Sequence, residues 1–125
     1  MERSDIKVLI CDDSLLARKN LADKLKGLGI TQVLQVTDGQ SAIDTYKEEK
    51  PDIIFLDVVM PVKDGVTALK EIREFDPGAY AIMVSSVGTQ THIREAVKNG
   101  AKDFLQKPAT AEQVRSIVEY IESRS

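Results

Sequence analysis

Short apolar runs alternate with stretches of helical spacing along this 125-residue chain, and that alternation restricts its fold more than any other feature. The runs are Ile6 to Cys11, Val33 to Val36, Ile53 to Asp57, Tyr80 to Val84 and Asp103 to Gln106. In the third, Ile53-Ile54-Phe55-Leu56 is apolar at every position, the pattern of a strand covered on both faces. Between the runs, apolar residues recur on one helical face: Ala17, Leu21, Leu25 and Leu28; Ala42, Ile43 and Tyr46; Val66, Leu69 and Ile72; Ile93, Ala96 and Val97; Val114, Ile117, Val118 and Ile121. Gly27, Gly29, Pro51, Asp76-Pro77-Gly78, Asn99-Gly100 and Lys107-Pro108 punctuate the segments. Strands alternating with helices over short links predict an α/β fold, a five-stranded parallel sheet doubly wound by five helices through right-handed crossovers. The length suits one domain over residues 1–125.

A parallel sheet gathers the carboxyl ends of its strands along one edge, where ligands of such folds bind. That edge would hold Asp12 and Asp13 after the first strand, Asp57 after the third, Ser85 and Ser86 after the fourth, and Lys107 after the last. Three adjacent carboxylates repel one another unless a cation compensates. An all-oxygen ligand set with few carboxylates and room for water suits Mg2+. Such an ion keeps open positions for phosphate oxygens, while Lys107 and Ser85 would serve an entering anion by charge and hydrogen bond. The constellation reads as a phosphoryl-transfer site with Asp57 as nucleophile, because that chemistry needs mainly alignment and charge neutralisation.

Composition excludes other classes. The net charge of −3 argues against a nucleic-acid-binding domain, which would carry a basic face. Cys11, the one cysteine, permits no internal disulfide and ends an apolar run, so a buried thiol is expected. The start, Met1-Glu2-Arg3-Ser4-Asp5, is polar, and no run reaches membrane length, which makes the cytoplasm the expected location and a membrane partner unexpected.

Cys11-Asp12-Asp13-Ser14, Leu56-Asp57 with Met60-Pro61 and Asp64-Gly65, Val84-Ser85-Ser86, and Asp103 to Pro108 together resemble the motifs of the receiver domains of two-component response regulators. The resemblance runs from about Ile6 to Ile121 and implies a flavodoxin-like sheet of order 2-1-3-4-5. It implies that Asp57 accepts a phosphoryl group from a sensor histidine kinase or phosphotransfer protein. By the same resemblance Asp12, Asp13, Asp57 and the carbonyl of Val59 hold Mg2+, Ser85, Ser86 and Lys107 bind the phosphoryl group, and Lys107-Pro108 is cis. Ser85 and Phe104 would form the switch, with Ser85 drawn to the phosphoryl group and Phe104 turning inward. A downstream protein would read the face near Arg94, Lys98, Phe104 and Gln106. The domain is then a signalling switch that assists its own phosphorylation and dephosphorylation, without being an enzyme in the ordinary sense.

Other readings weigh against these. Asp13 or Ser14 would equally serve as a helix cap, His92 as a surface residue, and Met60 and Met83 as packing. A receiver-like interaction module that takes no phosphate is the main alternative. A haloacid-dehalogenase-type metal-dependent phosphatase needs a second acid two residues after the nucleophile, where Val59 stands. In a flavodoxin-like electron carrier, Asp12 and Asp13 would repel flavin phosphate. Val59 and Val87 are apolar where receivers often carry polar groups beside the acceptor, so slow self-dephosphorylation is expected.

Overall fold

The five strands form one parallel sheet in the order β2-β1-β3-β4-β5. They are β1 (Lys7–Cys11), β2 (Gln32–Val36), β3 (Ile53–Asp57), β4 (Ala81–Ser85) and β5 (Asp103–Gln106). Helices α1 (Leu15–Gly27), α2 (Gly39–Glu49), α3 (Gly65–Phe75), α4 (Gln90–Lys98) and α5 (Ala111–Ser123) connect and cover them. The structure is a computed structural model and describes residues 1–60, 62–86 and 90–124. It bears out the expected doubly wound architecture and strand order; β3 and β5 coincide with the runs read from sequence, β1 and β2 differ by a residue at the start, and β4 is shifted by one residue at both ends. Among the described residues no helix is long and apolar enough to cross a membrane.

Helix starts follow local chemistry. Ser14, Asp38, Asp64 and Thr110 occupy N-cap positions, each with its side chain accepting a backbone N–H of the first turn, and Thr110 with Gln113 completes a reciprocal capping box. Helix α2 closes at Lys50, whose φ of 47° is left-handed, immediately before Pro51.

Strand alternation divides the interior into two cores. Val8, Ile10, Ile53, Phe55, Ile82, Val84 and Leu105 face one side, where Leu21 and Leu25 of α1 and Val114, Ile117, Val118 and Ile121 of α5 cover them. Leu9, Cys11, Ile54, Leu56, Ala81 and Met83 face the other, against Ala42, Ile43 and Tyr46 of α2, Ala68, Leu69 and Ile72 of α3, and Ala96 of α4. Every residue of β3 and β4 is buried, which explains why each is apolar up to the polar residue that ends it, Asp57 and Ser85.

Helix α4 departs from expectation. Of the predicted inward set only Ala96 is buried; Ile93 is half-buried and Val97 is 63% exposed. The nine-residue helix lies toward the β5 edge of the sheet and meets the second core through one small side chain. Its helical spacing named a face without revealing how little of that face is covered. His92, expected at the surface, is half-buried in a cleft it shares with Val58, Val59, Met60, Asp64 and Glu95.

Candidate functional site

The period of two that builds the first core also assembles the site. One residue beyond the ends of β1 and β5, and at the end of β3, Asp12, Lys107 and Asp57 fall in phase with Ile10, Leu105 and Phe55, on the side of α1 and α5. Asp12 and Asp57 are buried polar residues, and Asp13 is exposed beside them. One carboxylate oxygen from each of Asp12, Asp13 and Asp57 lies within 4.8 Å of the others. Across this group, the Lys107 ammonium is 2.5 Å from Asp12 Oδ2 and 3.1 Å from Asp57 Oδ2. The three acids and the lysine named from sequence thus come together. The repulsion anticipated among the acids is met by the protein's own lysine.

Backbone contacts hold each group. Asp12 Oδ1 accepts the Ser14 N–H at 2.9 Å, and the Asp12 carbonyl accepts from Arg18 Nη1 at 2.8 Å. Ser14 also caps α1, so the capping and site readings of Asp12-Asp13-Ser14 hold together. The Lys107 N–H donates to the Ser85 carbonyl at 2.8 Å, and the Lys107-Pro108 bond is cis, as the family resemblance implied. Asp57 accepts a backbone hydrogen bond from Val59, whose side chain is 63% exposed at the rim.

Electrostatics follow from burial. Desolvation raises the Asp57 carboxyl above its ordinary value, with Lys107 opposing and Asp12 reinforcing the shift. Burial alone would lower the Lys107 ammonium, but its bonds to Asp12 and Asp57 outweigh that and raise it. Cys11 is buried as expected; desolvation, then the charges of Asp38, Asp12 and Asp57, push its thiol up to about 12. A carboxyl whose pKa is higher folded than unfolded adds stability below its ordinary value of 3.8, and that stability is lost as pH rises through the folded value. Ionised Asp57 is therefore a cost at neutral pH. In Mg2+-free buffer, Asp57→Asn should stabilise the protein at pH 7 in urea unfolding, with the gain vanishing in acid.

Ser85 is 1% exposed and, by alternation, shares the α3 and α4 side of the sheet with Met83, whereas Asp57 emerges on the other side. Phe104 pairs with Met83 across β4 and β5, is half-buried, and packs on that same core. The two expected switch residues thus share one layer behind the acid cluster. Ser86 is exposed just past β4, and Arg94, Lys98 and Gln106 are exposed, as a face open to partners requires. Val87 and Pro61 lie outside the described residues.

Sequence reasoning missed two features. Arg18, one turn into α1, fastens the loop that carries the acids; a base that close to an acidic pair was the available signal. A half-open cleft of about 290 Å³ is walled by Asp12, Asp57 and Lys107 themselves, with Leu16, Ala17 and Leu21 of α1, Phe55 and Val84, and Pro108 and Ala109. No local pattern reports a space between elements so distant in sequence.

Known proteins share this arrangement. The response regulator receiver domain model matches residues 8–119. The chemotaxis protein CheY of Bacillus subtilis is 41% identical over 108 residues, covering 86% of this chain and 90% of that protein. CheY of Thermotoga maritima is 43% identical over 102 residues, 82% of this chain and 85% of its own length. Among solved structures, the CheX-CheY-BeF3-Mg2+ complex from Borrelia burgdorferi contains a chain that superposes with a TM-score of 0.87 at 34% identity, covering 95% of this chain and 90% of that one. An acid cluster at the carboxyl edge of a 2-1-3-4-5 sheet, a lysine across it and relatives at this level of identity lead to one assignment: the chain belongs to the response regulator receiver domains of two-component signalling, of the CheY-like kind.

Proposed function

We propose that residues 1–125 form one receiver domain that works as a phosphorylation-activated switch in the cytoplasm, accepting a phosphoryl group on Asp57 from a sensor histidine kinase or phosphotransfer protein. The observation that carries this is the triad of Asp12, Asp13 and Asp57 oxygens within 4.8 Å of one another, with the Lys107 ammonium across it. Receiver domains are signalling domains, and the catalysis here is confined to the domain's own acceptor.

The donor set fits Mg2+: three carboxylates, half enclosed and open to solvent on Asp13's side, to which the family resemblance adds the carbonyl of Val59. When bound, the ion neutralises charge on the transferring phosphoryl group. An Asp57 oxygen forms the new bond to phosphorus while the bond to the donor imidazole nitrogen breaks and its electron pair returns to the ring. Lys107 pairs with one phosphoryl oxygen as Asp57 gives up its carboxylate charge to the acyl phosphate, and the Ser85 hydroxyl, with Ser86 beside it, donates to another. Drawing Ser85 forward vacates space for Phe104, and the face of Arg94, Lys98, Phe104 and Gln106 changes with it. A downstream protein reads that face. The Borrelia CheY complex, which holds CheX, BeF3 and Mg2+, supports a protein partner and a divalent ion for this chain too.

Exposed, apolar Val59 offers attacking water no hydrogen bond, so the phosphorylated state should decay slowly in isolation. Val59→Asn should speed the decay by about tenfold, read as loss of phosphoryl from the purified protein over time. The function itself is tested by intact mass after incubation with Mg2+ and a small phosphodonor. One phosphoryl group should add to the wild type and none to Asp57→Asn; an adduct that persists in Asp57→Asn, or none in either, would favour the interaction module that takes no phosphate.

A further inference from the structure

The segment that carries Lys107 borders an open cleft on one side. On the α1 side, a half-open cleft of about 290 Å³, which Asp12 and Asp57 also line, separates Leu16, Ala17 and Leu21 from Lys107, Pro108 and Ala109. The Lys107 ammonium is held at its tip by Asp12 and Asp57, while its stem borders the cleft and has less packing on that side to fix it. Its backbone is held at the sheet by the Lys107 N–H donating to the Ser85 carbonyl. Across the cleft a second tie appears. Lys24 Nζ, from the last turn of α1, donates to the carbonyl of Ala109 at 2.7 Å, 85 residues away, and is steadied by Asn20 Oδ1 at 2.6 Å. Ala109 is buried and stands two residues after Lys107, directly before the Thr110 cap of α5. Flanking Lys24, Leu21 and Leu25 are locked into the first core with Val114 and Ile117, so the ammonium reaches out from a rigid helix.

We propose that Lys24 is a positioning residue for Lys107: its clasp on Ala109 holds the link between β5 and α5 over the cleft, and thereby sets where the Lys107 ammonium stands relative to Asp57. The inference rests on phosphoryl acceptance at Asp57 and adds a residue that touches neither the phosphoryl group nor the metal ligands. A charge-assisted hydrogen bond to a carbonyl is strong enough for this, and small displacements of an aligned group reduce rates steeply. Removing the clasp should impair transfer while leaving the acid cluster intact.

The test compares Lys24→Met, which keeps the stem and removes the ammonium, with Lys24→Arg, each in wild-type and Lys107→Met backgrounds. Initial rates of phosphorylation by a small phosphodonor at saturating Mg2+ would be followed by intact mass, and Mg2+ binding by calorimetry. Lys24→Met should slow phosphorylation roughly tenfold with Mg2+ binding no weaker, and Lys24→Arg should stay within about twofold of wild type. In the Lys107→Met background, Lys24→Met should cause no further loss, because the group it positions is gone. A wild-type rate in Lys24→Met, an equal further loss in the Lys107→Met background, or weakened Mg2+ binding would overturn the proposal. If the wild type itself gains no phosphoryl group on Asp57, the functional reading falls and this inference falls with it; a phosphorylated wild type matched by Lys24→Met removes the inference alone.

Discussion

Lys107→Met should slow phosphoryl transfer to Asp57 by about a hundredfold, the scale seen when one charged stabiliser of a transition state is removed. The same substitution should destabilise the Mg2+-free protein by about 3 kcal/mol at neutral pH, because it strips the compensating charge from two carboxylates that are nearly enclosed. The side chains of Asp12 and Asp57 are each 8% exposed, so water cannot take over the role of the ammonium 2.5 Å and 3.1 Å away. Screening by solvent, which reduces most surface ion pairs to little, is weak at this depth. Adding Mg2+ should restore much of the lost stability, since the ion would bring positive charge to the same acids, yet it should not restore the rate. Urea unfolding with and without Mg2+, together with phosphorylation rates by mass, separates the two effects. Equal stability and equal rate in the variant would remove Lys107 from the account.

Gly65→Ala should cost about 3 kcal/mol or more in urea unfolding, although both residues are small and the position is helical. A Cβ on Gly65 would overlap the carbonyl oxygen of Asp57, lie 2.9 Å from its carbonyl carbon and meet Met83 Cε at 3.0 Å. The Gly65 N–H also donates to the Val58 carbonyl at 2.9 Å, so the first turn of α3 is bound against the end of β3. The nearest atoms belong to backbone at the centre of the sheet, which has little freedom to yield. Any relaxation that does occur would shift Asp57 itself, and phosphorylation should fall along with stability. A variant with wild-type stability would mean that α3 can withdraw from β3 at little cost.

The sequence disclosed the site far better than its supports, for a physical reason. Ile53 to Asp57 and Asp103 to Gln106 were legible to the residue because both are bounded by turn residues and deliver a charged group at one end. Once the strands are parallel, phase alone carries Asp12, Asp57 and Lys107 to the same side, so a correct topology brings the site with it. The family resemblance supplied the strand order and the partners, which periodicity does not contain. Depth was harder. Val97 has the spacing of an inward residue and stands 63% exposed, because a short helix near the sheet's edge touches its core through Ala96 only. His92 erred in the opposite direction, since the cleft that half encloses it is built by the loop after β3. Lys24 on Ala109 and Arg18 on Asp12 are side chain to carbonyl bonds, and any residue type can supply the acceptor. Such bonds leave no compositional trace. The cleft beside the acids leaves even less, being a space between elements distant in sequence.

The central claim, that Asp57 carries the phosphoryl group, is tested most directly by the chemistry of the adduct. Borohydride reduces an acyl phosphate to the alcohol and spares a free carboxylate, so treating the phosphorylated protein and sequencing its peptides by mass spectrometry marks the acceptor. Homoserine is expected at position 57 and unchanged aspartate at positions 12 and 13. Reduction at either of those acids, or an adduct that resists borohydride, would contradict it.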